Sequence, residues 1–225
     1  YAFDPEGKFL RNLKREKVIK KPIGQVAHGA KSADIVIINQ PVDFLELHYE
    51  AIGLTIQPGA FVLDTSPVPL YAAQLAEKFL PAETGFVSMI PAFKFSTLKE
   101  QPFHTDSASA ELFQKSTIAV SSPSQKLKGA ENVASKLAAA VGATVVYMDP
   151  YEAQEAMVKT QMMPKVVSMA VMKAVNERPS WRDEARLASS DYYHVTNALM
   201  GICELEQPEL AAVENKEALV RILDD

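Results

Sequence analysis

Two short loops in this chain carry the groups best suited to hold a ligand. Asn39-Gln40-Pro41-Val42 follows an apolar run, and Asp64-Thr65-Ser66 follows another. If both runs are strands, these amides and hydroxyls stand at strand carboxyl ends, where open α/β sheets bind their ligands. The bland reading of the first loop is a plain strand-to-helix turn. Thr65 and Ser66, just before Pro67, also serve as ordinary helix caps. A third run, FVSMIPAF at residues 86–93, ends in Ile90-Pro91 with no ionisable group where an α/β enzyme would place its chemistry. Four histidines are available: His28, His48, His104 and His194. His104 follows Ile90 and could reach a pocket there, although a lone loop histidine is more often solvated than catalytic. Cys203 is the single cysteine, so no internal disulfide can form and a reducing compartment fits. It reads as a small buried apolar group rather than a nucleophile. No metal site is expected.

Those loops need elements to hold them. Residues 33–38 (ADIVII) form a β-branched run, as expected of a strand buried on both faces, and Pro41 ends it. Residues 44–54 read as a helix, Pro58-Gly59 as a turn, and residues 60–63 as a second strand. A helix over 70–80 and a strand over 85–89 follow. Residues 94–109 are polar and irregular and read as a loop over the site. Then come a strand over 116–120, an alanine-rich helix over 125–141 stopped by Gly142, and a strand over 144–148. Strands alternating with helices in this way point to parallel βαβ units.

After Asp149-Pro150 the character changes. Residues 151–175 make one long helical stretch carrying Met157, Met162, Met163, Met169 and Met172. Their spacing fits a buried face, and Pro164 should kink the helix. Ser180 and Asp183 read as a capping box opening a helix to about Met200, and another helix runs from about Pro208 to Leu223. The expected division is an α/β domain over 1–148 and an all-helical one over 149–225.

Composition narrows the function classes. The chain has 225 residues, 48% hydrophobic and 23% charged, enough for one large domain or two modest ones. A net charge of −5 with both signs interspersed argues against a nucleic-acid surface. The apolar runs are too short to span a bilayer. No signal peptide is visible, so a cytoplasmic protein is expected.

Read in order, several segments resemble the prephenate/arogenate dehydrogenase family. SADIVIINQPV (32–42) resembles its fourth Rossmann strand and the Pro-Val that follows. PGAFVLD (58–64) resembles the next helix-to-strand junction. Residues 112–120 resemble the strand after the active-site loop, and VGATVVYMDP (141–150) the run into the helical domain. WRDEARLASSD (181–191) resembles the family's FRDxTRIAxSDP segment, and ENKEAL (214–219) its closing ANREAL. The colinear set covers almost the whole chain.

The resemblance implies a Rossmann-type parallel sheet followed by an all-helical dimerisation domain. It also implies an NAD(P)-dependent oxidoreductase that oxidatively decarboxylates a cyclohexadienyl acid in tyrosine biosynthesis, acting as a homodimer on a small carboxylate. The glycine fingerprint GxGxxG is absent, and its place would fall upstream of Tyr1. The first βα unit is therefore expected to be missing and cofactor binding to be weak. The start, Tyr1-Ala-Phe-Asp4, looks like the tail of the second Rossmann strand. Asp4 would then hold the ribose hydroxyls and favour NAD over NADP, though Asp4-Pro5-Glu6-Gly7 also reads as a turn and helix start. Asn39, Gln40, Pro41, Val42, Thr65 and Ser66 would contact the cofactor, with Ser66 bonding nicotinamide or substrate. The family's lysine after that serine is lost here. Arg186 matches the arginine that grips a substrate carboxylate through a bidentate fork. The family's proton-accepting histidine, in GGHPM, is replaced by Ile90, and a second, in an SHLPH-like segment, by QMMPK at 161–165. The general base is thus unassigned. Two alternatives stay open: a catalytically silent or regulatory dimeric relative, and a dehydrogenase acting on a different acid.

Overall fold

The computed structural model describes residues 1–5, 7, 9–93, 109, 111–123, 128–176, 183, 185–197 and 220. Its centre is a five-stranded sheet in sequential order: β1 (Ile35–Ile38), β2 (Phe61–Asp64), β3 (Gly85–Ala92), β4 (Thr117–Ser121) and β5 (Thr144–Tyr147). β1, β2 and β3 run parallel in a register that sets Ile38 beside Asp64 and Asp64 beside Ser88. The crossovers are α3 (Val42–Gly53) and α4 (Pro69–Phe79), which lie on one face. On that face Val62 and Phe86 of the sheet meet Leu45, Tyr49 and Ile52 of α3 and Ala72 and Ala76 of α4. Leu63, Val87 and Val120 point to the other face, against α5 (Ala130–Ala140).

The sheet departs from the all-parallel expectation at one place. β4 runs antiparallel to β3, with Thr117 paired to Ala92, while β5 returns parallel to β4. The last residue of β3 and the first of β4 therefore lie at the same end of the sheet. Antiparallel neighbours need no crossover helix between them, whereas parallel ones do.

Local chemistry explains the element boundaries. Pro69 opens α4 at a position where its missing N–H costs nothing. Gly142, at φ +77°, ends α5 in the left-handed conformation that glycine adopts without strain. Gly53, near the end of α3, lets that helix approach α4 so closely that a Cβ there would sit 2.1 Å from the Phe79 carbonyl oxygen.

Asp149 caps α6 (Pro150–Met157) in a full capping box with Glu152, and the described residues beyond it lie in helices and the joints between them. Five residues of π-helix, Val158–Met162, separate α6 from α7 (Met163–Asn176). The irregularity thus falls just ahead of Pro164, as the widened turn relieves the clash a proline makes with the preceding turn. A 3-10 turn, Ala185–Leu187, and α8 (Ser190–Asn197) complete the described helices. Ser180, the expected N-cap, lies outside the described residues. So do His104, Cys203 and all of the expected last helix except Val220.

Val158 and Met162 join the main core under α4, and Gln154 of α6 accepts a 3.4 Å hydrogen bond from the Leu70 amide. The start of the helical region is thus packed onto the α/β layer. The methionines do not share one environment: Met157 and Met162 are buried, while Met169 is exposed. The N-terminal segment, with α1 (Leu10–Arg15) and α2 (Val26–Ala30), lies beyond β1, where Ala2 bridges Pro22 in parallel. No described helix is long and apolar enough to cross a membrane.

Candidate functional site at the strand ends

The loops after β1 and β2 meet. Thr65 donates its amide to the Ile38 carbonyl at 3.0 Å. Its hydroxyl lies 3.0 Å from the same carbonyl and 3.0 Å from Asn39 Oδ1. Parallel pairing of β1 with β2 produces this contact, because it brings both carboxyl ends to one edge. Asn39 is exposed and Gln40 half-buried, so both side-chain amides remain reachable. Val42 is buried in the main core as the first helical residue of α3.

Ser66 follows in a tight turn. Its amide donates to Asp64 Oδ1 at 2.7 Å, and the other carboxylate oxygen accepts from Tyr49 Oη at 2.8 Å. Tyr49 and Asp64 are fully buried. Burial pushes the Asp64 carboxyl above its ordinary range, and the donors from Ser66 and Tyr49 pull back only part of that rise. Burial and the neighbouring carboxylate push the Tyr49 phenol well up as well, which keeps it a donor. The Ser66 hydroxyl is buried. It lies near enough to the carboxylate to favour its charge, yet among the described residues it makes no well-formed hydrogen bond.

A cavity of about 570 Å3 runs along β1 from Asp34 to Gln40 and reaches the carboxyl end only at Asn39 and Gln40; Thr65 and Ser66 are not in its lining. Ile35 to Ile38 and Asn39-Gln40 form one wall; Tyr1, Ala2 and Phe3 form another. Ile35 and Ile37 are 45% and 55% exposed, unusual for β-branched residues of a parallel strand. His48 of α3 also lines the cavity, with its ring edge-on to Phe3 at 5.6 Å. Its buried Nδ1 has no hydrogen-bond partner among the described residues, and burial lowers its pKa, so the ring favours the neutral form. Asp4 lies one residue past the Phe3 wall, half-buried, and accepts from the Gly7 amide at 3.1 Å. That bond fits the turn reading of Asp4-Pro5-Glu6-Gly7.

Ile90 stands apart from the cavity. It is 2% exposed and packs with Ala119, Ala153 and Met157, closing β3 and β4 onto α6. Arg186 is on the 3-10 turn, its side chain 83% exposed, with Nη1 3.9 Å from Asp183 Oδ1. The structure therefore brings together Asn39, Gln40, Thr65 and Ser66, places Asp4 nearby, and leaves Arg186 on the surface of the helical region. Two features escaped the motif reading: His48 and the Tyr49–Asp64 pair. Their signal was periodicity, since 45, 48, 49 and 52 form the buried stripe of α3.

No protein-family model matches the sequence, and comparison with curated proteins finds no match. Solved structures do match. Arogenate dehydrogenase from Synechocystis superposes with a TM-score of 0.74 at 17% identity, over 96% of this chain and 74% of that one. Prephenate dehydrogenase from Aquifex aeolicus gives 0.75 at 15% identity, over 100% of this chain and 77% of that one. The same Aquifex aeolicus enzyme, in complex with hydroxyphenyl propionate and NAD+, gives 0.74 at 16% identity, over 100% and 76%. The sheet, its loops and the helices that follow thus have the fold of the prephenate and arogenate dehydrogenases.

Proposed function

We propose that the chain is a divergent member of the prephenate/arogenate dehydrogenase family, an oxidoreductase that uses a nicotinamide dinucleotide and acts on a small carboxylic acid. The observation that carries this reading is the Asn39–Thr65 contact, which joins two parallel strand ends beside a roomy cavity, in a fold whose solved counterparts include an NAD+ complex. Strand carboxyl ends are where such sheets take nucleotides.

The residues present fit the dinucleotide in part. Asn39 and Gln40 offer side-chain amides, Thr65 a hydroxyl, and Asp4 a carboxylate suited to ribose hydroxyls and repellent to a 2′-phosphate. NAD is therefore favoured over NADP. No GxGxxG run occurs in the sequence, so these residues supply no glycine cradle for pyrophosphate. When bound, the dinucleotide would accept a hydride. The protein's share is to orient the reacting carbon, hold the substrate carboxylate and exclude water. Arg186, only loosely engaged with Asp183, is the proposed carboxylate grip. Exposed Val167, Met169, Tyr193 and Val195 on α7 and α8 support a homodimer through the helical region.

The packing of Ile90 favours a second reading. No described imidazole lies in its cluster, so a silent binding relative, or a dehydrogenase that acts on another acid with a base elsewhere, also fits. Incubating the protein with NAD or NADP and either a cyclohexadienyl acid (prephenate, arogenate) or a 2-hydroxy acid, and following nicotinamide reduction, separates these. Turnover of a cyclohexadienyl acid supports the first reading. Binding without turnover on any acid supports the silent relative. Turnover only on a different acid supports the other dehydrogenase, and absence of dinucleotide binding sinks all three.

A further inference from the structure

We propose that Tyr49 and Asp64 are positioning residues for the ligand crevice, holding the Thr65-Ser66 turn and, through Thr65, the Asn39 loop. The inference rests on the dinucleotide reading above and names residues that would act without touching the ligand.

Tyr49 comes from the middle of α3 and Asp64 from the last position of β2, so their 2.8 Å bond ties the helix after β1 to the end of the next strand. The second Asp64 oxygen takes the Ser66 amide at 2.7 Å, which sets the turn. Thr65, between them, reaches Ile38 and Asn39. One buried carboxylate thus fixes the direction of two adjacent loops. A buried carboxylate is costly unless its lone pairs are filled. Here the donors come from the helix and from the loop it must hold, so losing either loosens the turn. An apolar pair of similar shape would pack at least as well, which makes a purely packing role a poor explanation for the pair.

Tyr49→Phe removes one donor and keeps the ring. Hydrogen exchange of backbone amides and dinucleotide affinity are both read on the whole chain. Gly53→Ala serves as a comparison that destabilises the α3–α4 contact without touching the carboxylate. The expected result is exchange of the Ser66 amide accelerated about tenfold in Tyr49→Phe while Val62 and Leu63 stay protected. The NAD dissociation constant should rise about tenfold, with the substrate KM changed less than twofold. Gly53→Ala should lower thermal stability and leave the NAD constant unchanged. Unchanged Ser66 exchange in Tyr49→Phe overturns the proposal. So does a NAD constant that follows stability equally in both variants. If the unmodified protein binds neither NAD nor NADP, the functional reading fails, and Ser66 exchange alone still decides whether the pair holds the turn.

Discussion

Replacing Ile90 by histidine restores the imidazole of the resembling family, and the structure gives a definite expectation for it. The side chain at 90 is 2% exposed among Ala119, Ala153 and Met157. Removing a buried isoleucine forfeits about 1.5–3 kcal/mol of apolar burial. Burying an imidazole with no hydrogen-bond partner costs about 1–3 kcal/mol more. The expected loss is about 2.5–6 kcal/mol, a large share of the roughly 5–15 kcal/mol that holds a typical domain. For a chain of this size it corresponds to a fall in Tm on the order of 10 °C. Ile90→Val, which leaves most of the contacts, should cost only about 0.5–1.5 kcal/mol. Calorimetry and urea unfolding measure both, and NMR titration of the new imidazole should give a pKa depressed by burial. Turnover of prephenate should not rise. A Tm within about 2 °C of the parent, an ordinary imidazole titration and increased turnover would together refute the reasoning, because they mean position 90 faces an open crevice.

Other substitutions test separate parts of the account. Gly53→Ala forces a Cβ to 2.1 Å from the Phe79 carbonyl oxygen, so α3 and α4 must separate, and unfolding should show a loss of about 1–3 kcal/mol. His48 has a folded pKa depressed below 6.5. Its contribution to stability is therefore present above pH 6.5 and lost as pH falls through the folded value, since the unfolded chain then binds the extra proton. His48→Phe should flatten that acid limb in urea unfolding; an unchanged pH slope would contradict the burial assigned to the ring. Arg186→Ala removes an exposed side chain whose ion pair is worth at most about 1 kcal/mol, so Tm should hardly move. If Arg186 grips substrate, the substrate KM rises far more than the NAD KM; equal changes remove it from the site.

Much of the fold was legible because its cues are local. The run Ile35–Ile38 is β-branched, Pro69 and Gly142 punctuate helices, and Asp149-Pro150 opens α6, each through the chemistry of a few neighbouring residues. The antiparallel return of β4 was not legible. Direction there is set by pairing Ala92 with Thr117, and the polar stretch between them carries no periodicity that encodes it. The π-helical segment was hidden for a similar reason: Pro164 signals a disturbance but not where the helix will absorb it. At the site, the loops after β1 and β2 could be read as strand ends, yet the Asn39–Thr65 contact depends on the register between strands. Tyr49 and Asp64 each looked unremarkable alone, one on an apolar stripe and the other at the end of an apolar run. Only the packing of α3 on the sheet makes them partners.

The most direct test of the central claim is an NMR titration of the chain with NAD, following the backbone amides of Asn39, Gln40, Thr65 and Ser66 and the side-chain amides of Asn39 and Gln40, since chemical shifts report even weak binding. The expected result is saturable shifts concentrated at these residues and at Asp4. Shifts confined to other parts of the molecule, or none at millimolar NAD, would contradict a dinucleotide site at the carboxyl ends of β1 and β2.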